Sequence, residues 1–340
     1  MATMNKLLTP SKEDESVNYE QLDEAIQPRC PLCGCINASQ KARIRTDLIS
    51  KMYGKDRRDL VRQEFMGTPW IYVYRCEDCS LSFFEPKIAG SPAFYEGLQS
   101  SEWYYQKDKR EYEMAARWIP PKARVLEVGC GAGWFAKRIP HSQYRGLEYS
   151  ASATEMARAS GLDVRTQSVE EHSRSNRLAY QVVCAFQVLE HVPDPGAFIA
   201  ACLDCLEPGG LLIYGVPSDD SYMRFLQNAP LNLPPHHLTR WPDATLESIP
   251  KIFSITLESI EHETVSDIHL IACVSAMIRR RLCLILGRRE AMVDRSFAGR
   301  LVNRFSGILA KNISSVLSDP VLRPRGQTVV VIYRKQVPSV

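Results

Sequence analysis

The sequence predicts an α/β fold: a doubly wound, mostly parallel sheet, with a cysteine-rich module ahead of it and a helical insertion near the end. Three observations carry that prediction. Strand-like and helix-like segments alternate from Pro120 onwards, the pattern that builds a parallel sheet with right-handed crossovers. The glycine turn Gly129-Cys130-Gly131-Ala132-Gly133 sits at the first strand-to-helix junction. Two C-x-x-C pairs, Cys30/Cys33 and Cys76/Cys79, precede it.

Composition narrows the class. The 340 residues include 42 basic and 39 acidic side chains, for a net charge of +3, with 45% hydrophobic and 24% charged residues. These are ordinary values for a soluble globular chain, and they exclude a disordered acidic protein or a long basic nucleic-acid-binding tract. No stretch approaches the roughly 20 apolar residues of a membrane span. The nearest, Leu270 to Ile278, runs straight into Arg279, Arg280 and Arg281. The first 27 residues lack the apolar core and cleavage site of a signal peptide. A reducing cytoplasm is therefore expected, where paired cysteines suggest metal more than disulfide.

Each element follows from its residues. WIYVY (Trp70 to Tyr74) is a β-rich run that delivers Cys76 from a strand. Together the two C-x-x-C pairs can supply four thiolates to a tetrahedral zinc, a closed shell with no position for water and hence structural. Pro31 and Gly34 suit a tight turn around the first pair, while Cys35 is one thiol too many. Residues 92–118 place aromatics at helical spacing, and Tyr104 and Tyr105 are candidates for a lid. RVLEV (124–128), YRGLEY (144–149), AYQVVCAF (179–186) and GGLLIYGVP (209–217) read as buried strands, separated by helices near 134–139, 152–160 and 195–206. ITLESIEHE and QTVVVIYRK form a closing antiparallel pair, and residues 266–324 between them are a basic helical insertion. Of the six remaining cysteines, Cys130 belongs to the glycine turn and the other five read as small buried hydrophobes.

The glycine turn has its own logic. A dinucleotide fingerprint needs its third glycine three residues after the second. Here the glycines alternate, and Trp134 stands where that third glycine would pack. Glu127 precedes the turn, and Glu148, 15 residues after Gly133, closes the second strand. A carboxylate there can accept hydrogen bonds from both hydroxyls of a ribose.

These residues resemble a class I S-adenosylmethionine-dependent methyltransferase over about residues 120–265. Glu127 with the three glycines is similar to that family's first motif, and Glu148 to its second-strand acid. Phe186-Gln187-Val188-Leu189-Glu190-His191-Val192-Pro193-Asp194-Pro195 resembles its fourth-strand segment, and Leu206-Glu207-Pro208-Gly209-Gly210 the turn before strand five. The resemblance implies a Rossmann-like sheet of seven strands and S-adenosylmethionine as cofactor. Glu127 would orient its methionine end, and the backbone of Gly129, Cys130, Gly131 and Gly133 would cradle it. Glu148 and Tyr149 would hold the ribose side, Ser168 and Val169 would flank the adenine, and Phe186 and Gln187 would close over it. The N-terminal cysteines, ending in Cys79-Ser80-Leu81-Ser82-Phe83-Phe84-Glu85-Pro86, look like a branch associated with sugars, polysaccharides or secondary metabolites.

Methyl transfer is an in-line displacement needing alignment and usually a base. Leu233-Pro234-Pro235-His236-His237-Leu238-Thr239-Arg240-Trp241 follows strand five at the edge where such sheets bind ligands. His237 is the expected base or orienting group, His236 its alternative, and His191 a further candidate. Oxygen, nitrogen and carbon acceptors all stay open. The expected acceptor is a small sugar-like molecule.

Two competing functions remain. One is an RNA methyltransferase, suggested by Arg43, Arg45, Lys51, Lys55, Arg57, Arg58 and Arg62 beside aromatics. The other is a non-catalytic binding protein on the same fold. The insertion mixes apolar residues with arginines, which suits an anionic membrane, a homodimer interface or a buried helical cap. The chain thus divides into a flexible segment (1–27), a zinc-binding module (28–86) and a helical lid or linker (87–119). The cofactor-binding domain (120–265 and 325–340) and the basic insertion (266–324) complete it.

Overall fold

Strand and helix alternate in the order that the apolar runs dictate. The computed structural model describes residues 27–99, 107–313 and 323–337. Tyr104 and Tyr105, the candidate lid residues, lie outside the described residues, as do residues 1–26 and 314–322.

Two sheets form. The N-terminal part contributes β1 (Ala38–Arg45), β2 (Trp70–Cys76) and β3 (Ser82–Glu85). The main sheet takes β4 (Arg124–Val128), β5 (Gln143–Leu147), β6 (Val164–Arg165), β7 (Tyr180–Phe186) and β8 (Leu206–Pro217). A two-residue strand, β9 (Thr239–Arg240), follows, and β10 (Ile255–Thr264) and β11 (Arg325–Lys335) complete the set. The main sheet has seven strands in the order β10-β11-β8-β7-β4-β5-β6. Strands β4 to β8 pair in parallel, whereas β11 runs antiparallel to both β8 and β10. Parallel strands are covered on both faces, which is why β4 and β7 are apolar almost throughout.

Strand order reverses around β4, with β5 and β6 on one side and β7 and β8 on the other. The crevice beyond the carboxyl ends at such a reversal is where open α/β sheets bind ligands. The glycine turn leaves β4 at that point.

One element departs from expectation. In place of a helix over 134–139, the chain makes a single 3-10 turn, Phe135–Arg138. Pro140 disfavours helical backbone at Ile139, and Phe135 is buried against Tyr112 and Phe186.

The second sheet has the order β1-β2-β3-β9, so its last strand comes from the methyltransferase-like part of the chain. Cys30, Leu32, Cys76, Cys79 and Phe83 share one continuous core with the main sheet. The first cysteine turn abuts the helix Pro195–Cys205: Gly196 N–H donates to the Pro31 carbonyl at 3.1 Å. A Cβ on Gly196 would meet the Leu32 carbonyl oxygen at 2.8 Å.

The insertion forms two helices, Asp267–Ile285 and Phe297–Ile313. Leu270, Cys273, Val274 and Ala310 bury one face against Tyr222 and Val265, as a helical cap does. Leu284, Ile285, Phe297, Leu301 and Phe305 remain exposed. The six scattered cysteines are all buried. No helix among the described residues is long and apolar enough to cross a membrane.

Candidate functional site

The glycine loop is built as the alternation requires. Gly129, Gly131 and Gly133 have φ of 71°, 54° and 75°, the left-handed region that side chains disfavour. A Cβ on Gly129 would also meet Val188 Cγ2 at 2.5 Å, and one on Gly133 would collide with Leu162. Gly129 and Cys130 N–H both donate to the Leu147 carbonyl, at 2.8 and 3.0 Å, which ties the loop to the end of β5.

Glu148 stands against that loop. Its Oε2 accepts from Gly131 N–H at 2.8 Å and its Oε1 from Ser150 N–H at 2.7 Å. A carboxylate offers about four lone-pair positions, so each oxygen keeps one for a further donor. Tyr149 is exposed beside it. Ser168 caps the helix Val169–Ser173, accepting from Glu171 N–H at 3.0 Å, and Val169 is buried in the core.

Glu127 is buried, and Tyr144 donates its hydroxyl to Glu127 Oε2 at 2.5 Å. Burial pushes this carboxyl up to about 8. The Cys130 thiol is also pushed up by burial. Phe186 is buried among Tyr112 and Phe135. Gln187 has φ of 57°, and its side-chain amide donates to Glu111 Oε2 at 2.8 Å.

The three candidate histidines converge, although 45 residues separate His191 from His236. Ring centroids lie 4.5 Å (His191–His236), 5.0 Å (His191–His237) and 4.7 Å (His236–His237) apart. His191 follows β7, and the other two precede β9, whose neighbour Leu238 donates to the Glu190 carbonyl at 2.7 Å. Burial pushes His191 down to about 4 and holds His236 and His237 well below the usual imidazole range. All three are therefore neutral at physiological pH. A narrow cleft of about 20 Å³ reaches His237, bounded by Asn232, Thr239 and the Asp219–Arg240 ion pair (2.5 Å).

The four paired cysteines also meet. Cys30 and Cys79 Sγ are 3.5 Å apart, Cys33 and Cys76 Sγ are 3.6 Å apart, and all four lie within 4.8 Å of one another. Tetrahedral thiolates on zinc stand about 3.8 Å apart, given Zn–S bonds near 2.3 Å, so the set fits that ion. The two turns share one backbone pattern. Gly34 N–H donates to Cys30 O and Cys30 N–H to Cys35 O; Ser80 N–H donates to Cys76 O and Cys76 N–H to Leu81 O. Gly34 and Ser80 both have positive φ, 74° and 63°. Cys35 is thus the counterpart of Leu81, and its carbonyl, not its thiol, closes the turn.

Sequence reasoning missed Glu111, Tyr144 and Tyr95. Glu111 is buried beside Gln187, yet it sits in a charged stretch, KDKREYE, that reads as a solvated face. Tyr95 packs edge-on to His191 at 5.9 Å. Nothing local marks any of the three.

The basic stretch within the N-terminal part is partly paired with carboxylates. Arg45 and Lys51 both pair with Asp47, at 2.9 and 3.1 Å, and Arg62 pairs with Asp59 at 3.0 Å. Arg43 lies over the Trp70 ring.

Comparison with known proteins agrees with this geometry. Residues 102–253 match a family model described as "Methyltransferase domain". A ubiquinone biosynthesis O-methyltransferase of Xanthomonas campestris pv. campestris is 37% identical over 107 residues, covering 29% of this chain and 45% of that protein. One of Vibrio atlanticus is 35% identical over 99 residues, covering 27% and 42%. The chain thus spans less than half the length of these curated relatives. A solved S-adenosylmethionine-dependent methyltransferase of Archaeoglobus fulgidus aligns with a TM-score of 0.44 at 17% identity, over 71% of this chain and 100% of that one. The alternating strands and helices, the glycine loop after β4 and the family match agree on one part of the chain: residues 102–253 carry a methyltransferase domain of the class I, S-adenosylmethionine-dependent type.

Proposed function

We propose that this protein transfers the methyl group of S-adenosylmethionine to an oxygen of a small-molecule acceptor. The observation that carries the reading is that the glycine loop, anchored by Glu148, and three neutral imidazoles lie at the carboxyl end of the same sheet. When bound, S-adenosylmethionine supplies a methyl group activated by a sulfonium. Glu127 binds the ammonium of the methionine part, and the backbone of Gly129, Cys130, Gly131 and Gly133 lines it. Glu148 accepts from the ribose hydroxyls. Tyr149, Ser168 and the backbone at Val169 flank the adenine, while Phe186 and Gln187 form the wall towards the acceptor. His237, with His236 and His191 behind it, accepts the hydrogen bond of the acceptor hydroxyl.

The strongly depressed basicity of these imidazoles suits orientation of a hydroxyl better than abstraction of a carbon-bound proton. That favours oxygen, as do the printed names of the Xanthomonas and Vibrio relatives. The near-neutral charge of the whole chain weighs against RNA. The acceptor is then a hydroxylated small molecule, a sugar-containing metabolite or a phenol. The four cysteines hold a structural zinc that fixes the second sheet.

Incubation with methyl-labelled donor, a panel of nucleotide sugars and phenols, and RNA tests this directly. Label is expected in a base-stable methyl ether of a small molecule. Label confined to RNA, or no binding of S-adenosylhomocysteine by calorimetry, would overturn the proposal.

Glu127 makes the affinity depend on pH. In the free protein its carboxyl is protonated below about pH 8, but an ammonium ligand binds the ionised form. Binding at lower pH must therefore release a proton, and affinity falls about tenfold per pH unit as pH drops from about 7 to 6. Calorimetry in two buffers of different ionisation enthalpy should find about one proton released near pH 7. A flat affinity from pH 6 to 8 would remove Glu127 from this role.

A further inference from the structure

The cluster at the acceptor edge contains more than the imidazoles. Glu190 is 1% exposed, and neither of its carboxylate oxygens has a hydrogen-bond donor among the described residues. Its Oε1 lies 3.7 Å from His191 Nε2. Buried carboxylates without donors are rare in folded proteins because desolvation of the charge must be compensated. Its neighbour on that side is the His191 ring, and a cation bound by the ring cluster would compensate the buried carboxylate.

The rings are set up to receive one. His191 Nδ1 lies 2.6 Å from the His236 carbonyl oxygen, and His236 Nδ1 lies 2.9 Å from the Leu231 carbonyl oxygen. A carbonyl only accepts, so both Nδ1 atoms carry the hydrogen and both Nε2 atoms carry the lone pair. A backbone carbonyl that fixes the tautomer through the opposite nitrogen is the usual support of a metal-bound histidine. One ring nitrogen of each histidine lies within 4.8 Å of those of the other two. Three imidazole nitrogens on a tetrahedral zinc stand about 3.3 Å apart, given Zn–N bonds near 2.0–2.1 Å.

We propose that His191, His236 and His237 form a binding site for a divalent transition-metal ion of the zinc class at the acceptor edge of the sheet, with the Glu190 carboxylate beside His191 as the compensating charge. Imidazole ligands select zinc, cobalt or iron over magnesium or calcium. The cleft beside His237 has room for about one water. This site is separate from the four cysteines and differs from them in donor type. The inference rests on the acceptor-edge reading above and changes one part of it: the imidazoles act as metal ligands, with the acceptor hydroxyl held nearby.

Cobalt(II) chloride titrated into the metal-stripped full chain tests it, because thiolate and imidazole sites differ in colour. Two equivalents are expected. One has the intense thiolate charge-transfer band and is lost in Cys76→Ser. The other has only weak ligand-field bands, is lost in His236→Ala and is weakened at least tenfold in the isosteric Glu190→Gln. Circular dichroism and S-adenosylhomocysteine binding check the fold of each variant, and Glu190→Gln carries the test should His236→Ala misfold. A single, thiolate-only equivalent in the unaltered protein would overturn the proposal. So would a second equivalent that both substitutions leave unchanged. S-adenosylhomocysteine binding without the second equivalent sinks the metal site alone. The second equivalent without S-adenosylhomocysteine binding sinks the methyl-transfer reading alone.

Discussion

Cys76→Ser is expected to lower the unfolding midpoint of the zinc-loaded protein by roughly 10 °C and to abolish acceptor methylation, although Cys76 lies outside the cofactor loop. Structural zinc in small domains carries folding free energy of about 10–16 kcal/mol. Loss of one of four thiolates removes enough of it to cost at least about 4 kcal/mol. For a chain of this length each kcal/mol shifts the midpoint by roughly 2–4 °C. The effect on methylation follows from connectivity. Cys76 ends β2, β2 pairs with β3, and β3 pairs with β9 through Ser82–Arg240 and Phe83–Thr239. His237 lies two residues before β9. A loosened second sheet therefore releases the loop that carries His236 and His237. Differential scanning calorimetry with and without a chelator checks this. A midpoint within about 2 °C of the unaltered protein, a change below about 1 kcal/mol, would show that the cysteines carry no structural metal.

Glu148→Ala is expected to weaken S-adenosylhomocysteine binding by about 10²–10⁴-fold while the ligand-free protein stays folded. Two hydrogen bonds from ribose hydroxyls to a charged acceptor are worth about 1.5–3 kcal/mol each. The same substitution also removes the acceptors of Gly131 and Ser150 N–H, so the loop loses the support that aims it. Tyr149→Ala serves as comparison and should cost much less, since its exposed ring offers stacking alone. Calorimetry decides it: a dissociation constant within threefold of the unaltered protein would remove Glu148 from the ribose site.

The sequence made the central sheet legible because its signal is local. RVLEV, AYQVVCAF and GGLLIYGVP are apolar runs of strand length, and the alternating glycines state their own backbone requirement. The cysteine pairs were legible for the same reason, since spacing alone sets the turn. What escaped was set by distant partners. Tyr144 matters because its hydroxyl reaches Glu127, and Glu111 because it folds under Gln187 from 76 residues away. The shortened helix after Trp134 depended on Pro140, whose effect on the preceding turn was readable but was outweighed by the expected strand–helix alternation. His191 was visible as a candidate, but its meeting with His236 and His237 depends on β9, a strand too short for any periodicity to show.

The join between the cysteine turns and the sheet domain has a consequence for how such proteins can change over time. The first turn presses its carbonyls onto Gly196, where no larger residue fits, and the second offers the Cys79 carbonyl to the Ser248 hydroxyl at 3.4 Å. Recombination that brought in a foreign cysteine module would have to match a glycine on one helix, a hydroxyl on another and an edge strand for β9. A swap that missed any one of the three would leave a clash, an unmet carbonyl or an unpaired edge.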